Sequence, residues 1–215
     1  MGRGASRAGG GSGRFGGGTV DPNDVSNYQD LVSQREGKRT EVDQILTVAR
    51  DLNNEYGEDG LIYQFQTADM EKSAAGAIAF YDGSNIVVNN DFFNAKRLDD
   101  SYDDCVKSGF HPSRGKKSGA EAVAAHEYGH ALSDAVARKM GVANLDIAST
   151  KIVNEARKRT GDKGVVIMAN KISRYASTSN AEAVAEAFAD VYCNGGRAKK
   201  QSKAIVDVMN SYLKG

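Results

Sequence analysis

The stretch from Ser118 to Gly141 reads SGAEAVAAHEYGHALSDAVARKMG and decides how the rest of the chain is interpreted. Ser118 and Glu121 have the spacing of an N-terminal capping box, an apolar run follows at once, and Gly141 is a natural stop. The pattern therefore predicts one helix across the whole stretch. Its far side carries small or apolar residues that let a neighbouring element approach closely, namely Ala124, Ala131, Leu132 and Ala135.

Residues 126–130 of this helix read His-Glu-x-x-His. Two imidazoles four residues apart share one helix face, so His126 and His130 can bind the same zinc ion. Glu127 lies about 100° around the helix from His126, close enough to take a proton from water at that metal. The alternative is a pair of ordinary surface imidazoles, and the helical context favours the metal site.

A tetrahedral zinc ion needs more than two protein ligands, and two common solutions are excluded. A metzincin would have Gly and His where this chain has Ser133 and Val136. A structural cysteine site would need paired CxxC spacing, and Cys105 and Cys193 are isolated in the sequence. We expect both cysteines to be small buried residues of a protein in a reducing compartment.

The best donors of a further ligand are three carboxylates that recur every fourth residue, Glu182, Glu186 and Asp190. On a helix they line one stripe, and like charges at this spacing cost a few tenths of a kcal/mol each. Such a stripe favours a cation or the histidines opposite. The alternative is that Ser179 and Glu182 form another capping box and that Glu186 and Asp190 are solvated.

Two motifs together resemble the anthrax toxin lethal factor family of gluzincin-type zinc metallopeptidases, whose wording is HExGHA, then Y, six residues and EFFAEAF. This chain has His126-Glu-Tyr-Gly-His130-Ala and, 52 positions after His130, Glu182-Ala-Val-Ala-Glu186-Ala-Phe, with Tyr175 seven residues before Glu182. The resemblance covers about residues 118–192. It extends to short zincin-like proteins of phages and prophages.

The resemblance implies a role for each matching residue. His126, His130 and Glu182 would bind zinc, Glu127 would be the general base, and Tyr175 would stabilise the oxyanion of a peptide under hydrolysis. The chain departs from the family at two positions.

Ala183 and Val184 stand where the family usually has two Phe residues. We therefore expect the packing behind the site to differ, and the choice of substrate stays open.

A thermolysin-like arrangement is the alternative for the third ligand, with Glu186 as ligand and Asp190 behind it. The spacing favours Glu182, because Tyr175 precedes this helix and the ligand should lie in its first turn. Glu186 would then accept a proton from the unligated nitrogen of a metal histidine. Asp134 could do the same, although a solvent-facing position is the simpler interpretation.

The predicted metal site is compatible with two kinds of function. The first is a zinc-dependent endopeptidase that acts on a protein or peptide substrate. The second is a fold kept for structure or assembly in a virion or toxin, with a non-catalytic metal. An intact Glu127 and Tyr175 favour the enzyme, because a purely structural site needs neither. An intracellular regulatory protease would use the same residues.

Composition bounds the rest. The 215 residues predict a disordered Gly/Arg-rich arm at 1–18, with nine Gly and no acid, and one zincin-like catalytic domain at 19–215. The 28 basic and 28 acidic residues balance, so the chain has no net charge that would attract nucleic acid or a membrane surface. We therefore expect no dedicated nucleic-acid or membrane partner. Without a recognisable signal or membrane span, we expect a cytoplasmic protein or one carried in a virion or delivered into a host cell.

Periodicity predicts an α+β fold, mostly helical, with a small β-sheet before the His-containing helix. The strands at 77–81 and 86–89 are joined by a hairpin turn. The same resemblance makes one of them the candidate to pair with extended substrate, and a purely structural meander is the alternative. The basic loop 110–119 should border the cleft, with His111 at the surface. The remaining elements are predicted as a strand at 61–67 and helices at 35–56, 91–105, 145–159, 165–173, 182–193 and 199–213.

Overall fold

The computed structural model describes residues 39–56, 64–68, 78–81, 83, 85–89 and 95–215 of the chain. The arm predicted at residues 1–18 lies outside these ranges. So do residues 35–38, 61–63, 77 and 91–94, which were predicted to begin two helices and two strands.

The described residues form an α+β fold that is mostly helical, as the periodicity predicted. The helices agree with the predicted ones to within a few residues, except that α5 ends at Asn170, before the predicted bound. No helix in these ranges has the length and apolar character of a membrane-spanning segment. The helices are α1 (Arg39–Tyr56), α2 (Ala95–Lys107), α3 (Gly119–Met140), α4 (Leu145–Thr160), α5 (Val165–Asn170), α6 (Asn180–Asn194) and α7 (Lys200–Leu213), with 3₁₀ turns at Ala176–Thr178 and Gly195–Arg197.

A small mixed sheet precedes α3 along the chain. Its strands are β1 (Gln64–Ala68), β2 (Ala79–Tyr81) and β3 (Asn85–Asn89), in the spatial order β1-β3-β2. The predicted hairpin is confirmed, because β2 and β3 pair antiparallel with Tyr81 opposite Ile86. β1 runs parallel to β3 on its other side. Among the described residues, β2 is therefore an edge strand of this sheet, and it packs on α3.

Helix α3 is the centre of the fold. The predicted capping box is present, because the Ser118 side chain accepts from the backbone N–H of Glu121 and the Glu121 carboxylate accepts from that of Ser118. Gly141 ends the helix in the left-handed conformation, with φ 63°. Between these ends α3 is buried by α1, α2, α4, α6 and α7 as well as by β2, which explains its many small side chains.

The closest approach of α3 to another helix occurs at Gly129. A Cβ atom on this residue would lie only 2.7 Å from the Cα of Ala185 in α6. Glycine is therefore needed at this position for steric reasons. Ala183 and Val184, which replace the two Phe residues of the resembled family, are fully buried. Small residues on both helices bring the histidine face of α3 against the acidic face of α6.

Candidate metal centre

The imidazoles of His126 and His130 converge on one point. Their ring centroids are 5.0 Å apart and their planes make an angle of 80°. Both residues are only 8% exposed. The Nε2 atom of His126 lies 3.2 Å from Oε2 of Glu182, and that of His130 lies 3.5 Å from the same oxygen. The two rings thus present their outer nitrogens to a single carboxylate.

Glu182 reaches this point from the first turn of α6. Ser179 is the N-cap of that helix, and its hydroxyl accepts from the backbone N–H of Glu182 at 3.1 Å. Ser179 therefore caps the helix, as the alternative interpretation proposed. The other part of that interpretation is wrong, because Glu186 and Asp190 are buried and not solvated. The Glu182 carboxylate, however, is turned to the histidines, as the interpretation of the acidic stripe required.

One ligand atom from each of His126, His130 and Glu182 lies within 4.8 Å of the others, so this buried group can hold a metal ion. Two imidazole nitrogens and one carboxylate oxygen form a donor set that catalytic zinc sites use, with a fourth position left for water or substrate. Calcium and magnesium prefer oxygen donors alone. The donors on this chain thus fit zinc.

Glu186 lies on the opposite side of His126 from Glu182. Its Oε1 accepts from Nδ1 of His126 at 2.8 Å, and its Oε2 accepts from the Ser173 hydroxyl at 2.7 Å. This arrangement leaves Nε2 of His126 to face Glu182. It matches the orienting role predicted for Glu186 and does not match the thermolysin-like alternative, in which Glu186 would be a ligand.

The expectation that His111 would be at the surface is wrong. The His111 side chain is only 14% exposed, and its Nδ1 lies 2.9 Å from Oε1 of Glu186. Its ring stacks on Tyr102 at a centroid distance of 5.2 Å. Sequence spacing could not find this contact, because His111 is in a loop with no periodicity. The one available signal was the scarcity of histidine, since the chain has three.

The remaining acidic residues take other partners. Asp190, the third member of the acidic stripe, accepts hydrogen bonds from the side chain of Asn194 and the backbone N–H of Lys199, both at 2.9 Å. Asp134 accepts from the Tyr81 hydroxyl at 3.3 Å and pairs with Arg138. Neither contacts the histidines in the described structure. The possible orienting role of Asp134 is therefore not supported.

Glu127 is buried beside the two histidines and has the properties of a base. Burial raises the pKa of its carboxyl above the ordinary value, because the charged form loses hydration. His126 and His130 oppose this effect, as does a hydrogen bond from the backbone N–H of Tyr81. Its carboxylate is thus more basic than an exposed one and is held against strand β2.

Tyr175 closes another side of the group. Its ring stacks on the ring of His126 with centroids 5.7 Å apart, and on that of Phe110 at 4.9 Å. Burial raises the pKa of the Tyr175 hydroxyl, and the charges of Glu182 and Glu127 raise it further. The hydroxyl therefore keeps its proton at neutral pH and is a hydrogen-bond donor.

The carboxylates set the electrostatics of the histidines. Burial lowers the pKa of His126, but hydrogen bonds to Glu182 and Glu186 outweigh it and hold that pKa well above its usual range. Burial likewise raises the pKa of Glu182, and hydrogen bonds from the two imidazoles bring it well below its usual range. Because a metal ligand must be a neutral imidazole, we expect metal binding at this site to displace a proton.

No protein-family model, curated protein or solved structure matches this chain.

Proposed function

We propose that this chain is a zinc-dependent endopeptidase with a zincin-like fold, of the kind found in the lethal factor family and in phage-encoded proteins. The observation that supports it most is the convergence of His126, His130 and Glu182 from two helices on one buried point. Glu127 and Tyr175 lie beside this point in a base-like and a donor-like state respectively. A site that only held a metal would need neither.

Zinc, when bound, supplies an activated water at neutral pH and polarises the carbonyl of the peptide bond. Glu127 then accepts the proton of the attacking water and passes it to the leaving amine. Its raised pKa suits the first of these steps, because a more basic carboxylate accepts a proton more readily. The backbone N–H of Tyr81 keeps the carboxylate oriented during the exchange.

Tyr175 stabilises the negative charge that develops on the carbonyl oxygen. Its hydroxyl hydrogen-bonds Glu182 at rest and would turn toward that oxygen. The stacked rings of His126 and Phe110 on Tyr175 limit the movement of its ring. A fixed donor of this kind is worth about 3 kcal/mol in the transition state.

Strand β2 provides the place for an extended substrate. The backbone N–H of Asn89 donates to the carbonyl of Ile78 at 2.9 Å, so Ile78 faces β3. Along an antiparallel ladder, residue pairs that share hydrogen bonds alternate with pairs that do not. Ala79 and Tyr81 belong to pairs of the second kind, so their backbone N–H and C=O groups point away from β3. Because Tyr81 also contacts Glu127, a peptide along this edge would pass the base.

The test combines metal analysis with digestion of a peptide library by the purified full chain. We expect one zinc per chain and cleavage that stops when a chelator is added. Glu127→Gln should keep its zinc and lose about 10²–10⁴-fold in turnover. Tyr175→Phe should keep its zinc and lose about 10²–10³-fold.

Ser211→Ala is the matched control, because it removes one hydrogen bond in α7 remote from the site and should cleave at the parental rate. Zinc at full occupancy without cleavage of any library peptide would contradict the peptidase and support the non-catalytic virion or toxin component. Parental turnover by Glu127→Gln would show that the assigned chemistry is wrong.

A further inference from the structure

His111 belongs to a loop segment that contacts both halves of the site. The backbone N–H groups of Arg174 and Tyr175 donate to the carbonyls of Gly109 and Phe110, at 3.0 and 3.1 Å. The segment 109–111 is therefore fixed to the segment that carries Tyr175. This pairing places His111 at a defined position before its side chain makes any contact.

The imidazole of His111 is held on several sides. It stacks face to face on Tyr102, with an interplanar angle of 9°, and its edge meets Tyr175 at a centroid distance of 5.4 Å. The side chain of Cys105 hydrogen-bonds the same imidazole. An imidazole restrained by stacking and by hydrogen bonds can impose its position on a partner.

That partner is Glu186. Oε1 of Glu186 is shared by Nδ1 of His111 and Nδ1 of His126, at 2.9 and 2.8 Å. Two histidines thus hydrogen-bond the same carboxylate oxygen, and the Ser173 hydroxyl donates to the other oxygen. His111 is not placed as a metal ligand, because its Nδ1 is directed at Glu186 and its ring centroid lies 6.3 Å from that of His126.

We propose that His111 is a positioning residue of the zinc site: its N–H fixes the Glu186 carboxylate, and Glu186 in turn fixes the ring of His126. The inference rests on the proposed zinc site and deepens it. A carboxylate that accepts from a ligating imidazole sets its tautomer and its orientation. His111 extends this chain of contacts by one residue, from the metal helix to the loop 109–111.

Two substitutions separate the hydrogen bond from the ring. His111→Phe keeps an aromatic ring between Tyr102 and Tyr175 and removes the N–H. His111→Asn keeps a side-chain N–H close to the position of Nδ1 and removes the ring. We expect His111→Phe to weaken zinc binding about tenfold, and His111→Asn to stay within about threefold of the parent.

Zinc affinity is measured on the metal-free full chain by competition with a chromophoric chelator, and the visible spectrum of the cobalt-substituted protein reports ligand geometry. His111→Phe should change that spectrum, whereas His111→Asn should restore it. Ser108→Ala removes a neighbouring hydroxyl that donates to the carbonyl of Cys105, and it should change neither. Parental affinity together with a parental spectrum in His111→Phe would overturn the proposal.

A double variant decides the route of the effect. If His111 acts through Glu186, Glu186→Gln and the double variant with His111→Phe should bind zinc equally well. His111→Ala, which also removes the N–H, takes the place of His111→Phe if that variant does not fold. If the two losses add, His111 does not act through Glu186 and the proposal is wrong. Neither readout needs peptide cleavage, so a failure of the proposed peptidase activity would be distinguished from a failure of this inference.

Discussion

Glu182 and Glu186 lie one turn apart on the same face of α6, and both are buried. Their surroundings nevertheless differ. Glu182 faces the Nε2 atoms of two histidines, whereas Glu186 faces Nδ1 of His126 together with His111 and Ser173. The helix gives the two carboxylates the same direction, and the elements packed against them give each its role.

The difference follows from the two nitrogens of one imidazole. Nδ1 and Nε2 of His126 point to opposite sides of the ring, so one carboxylate on each side leaves the ring a single orientation. Burial raises the pKa of Glu186, but the charges and hydrogen bonds of His111 and His126 lower it to about 2. Glu186 is therefore ionised at neutral pH and accepts hydrogen bonds from three donors.

Removing the Glu182 carboxylate is expected to have the largest effect on metal binding. Glu182→Gln keeps the shape of the side chain and replaces the anionic ligand with a weak amide oxygen. We expect zinc affinity to fall by more than the ~100-fold that the loss of an outer partner can cost. Chelator competition measures the affinity, and isothermal calorimetry checks the stoichiometry.

Asp190→Asn likewise replaces a carboxylate with an amide and is the matched control. Asp190 lies on the same stripe and contacts Asn194 and Lys199 instead of the histidines. Asp190→Asn should bind zinc like the parent. A loss in Glu182→Gln no greater than that in Glu186→Gln would reverse the two roles and favour the thermolysin-like ligand set.

The next largest effect is expected at Glu186. Glu186→Gln leaves the three proposed ligands in place but replaces the carboxylate that hydrogen-bonds His126. We expect zinc affinity to fall by about 10–100-fold, with one zinc still bound at saturating metal. Thermal unfolding of the metal-free protein should also shift to lower temperature, because three buried donors lose a charged acceptor. An unchanged affinity would mean that packing alone holds His126.

The sequence predicted only part of the fold and of the surroundings of Glu182 and Glu186. The position of α3 and its caps followed from Ser118, Glu121 and Gly141, because local hydrogen bonds determine helix ends. The hairpin of β2 and β3 also followed from local alternation. The nearness of Glu182 to His126 was predicted by the acidic stripe together with the family resemblance, and the stripe alone left a solvated alternative open.

The positions of His111 and Ser173 could not be predicted, because both depend on how loops pack against α6. No periodicity relates residues 111 and 173 to residue 186, and their contacts with Glu186 join distant parts of the chain. Gly129 is an intermediate case. A glycine inside a predicted helix signals a close approach, but the sequence does not say that Ala185 is the partner.

The pH dependence of zinc stabilisation tests whether protons and metal compete for His126. The folded pKa of His126 is raised, so its contribution to metal-free stability is full below its unfolded value of about 6.5 and is lost as pH rises through the folded value. The carboxyls of Glu182 and Glu186 have lowered pKa values, so their contribution is full above about 4.5 and is lost as pH falls.

The metal-free protein should therefore gain most from these groups between about pH 4.5 and 6.5. We expect zinc binding to release a proton, so its apparent affinity should rise about tenfold per pH unit from pH 6 to 8. Calorimetry in buffers of different ionisation enthalpy measures the released proton directly. A pH-independent affinity over this range would show that His126 is already neutral before the metal binds.

The smallest effect is expected at Ser179. Its substitution tests how Glu182 is held in position separately from Glu186, and it changes neither carboxylate. Ser179→Ala removes the side-chain cap at the turn that carries Glu182, which should cost about 1 kcal/mol of unfolding free energy. Asn144→Ala removes an equivalent cap from α4, where Asn144 accepts from the N–H of Ile147, and should cost about as much.

Only Ser179→Ala should also weaken zinc binding, because the first turn of α6 holds Glu182 while Glu186 is held one turn deeper by three donors. Equal zinc affinity in the two capping variants would mean that the position of Glu182 is fixed by the close contact of Gly129 with Ala185 and not by the helix end.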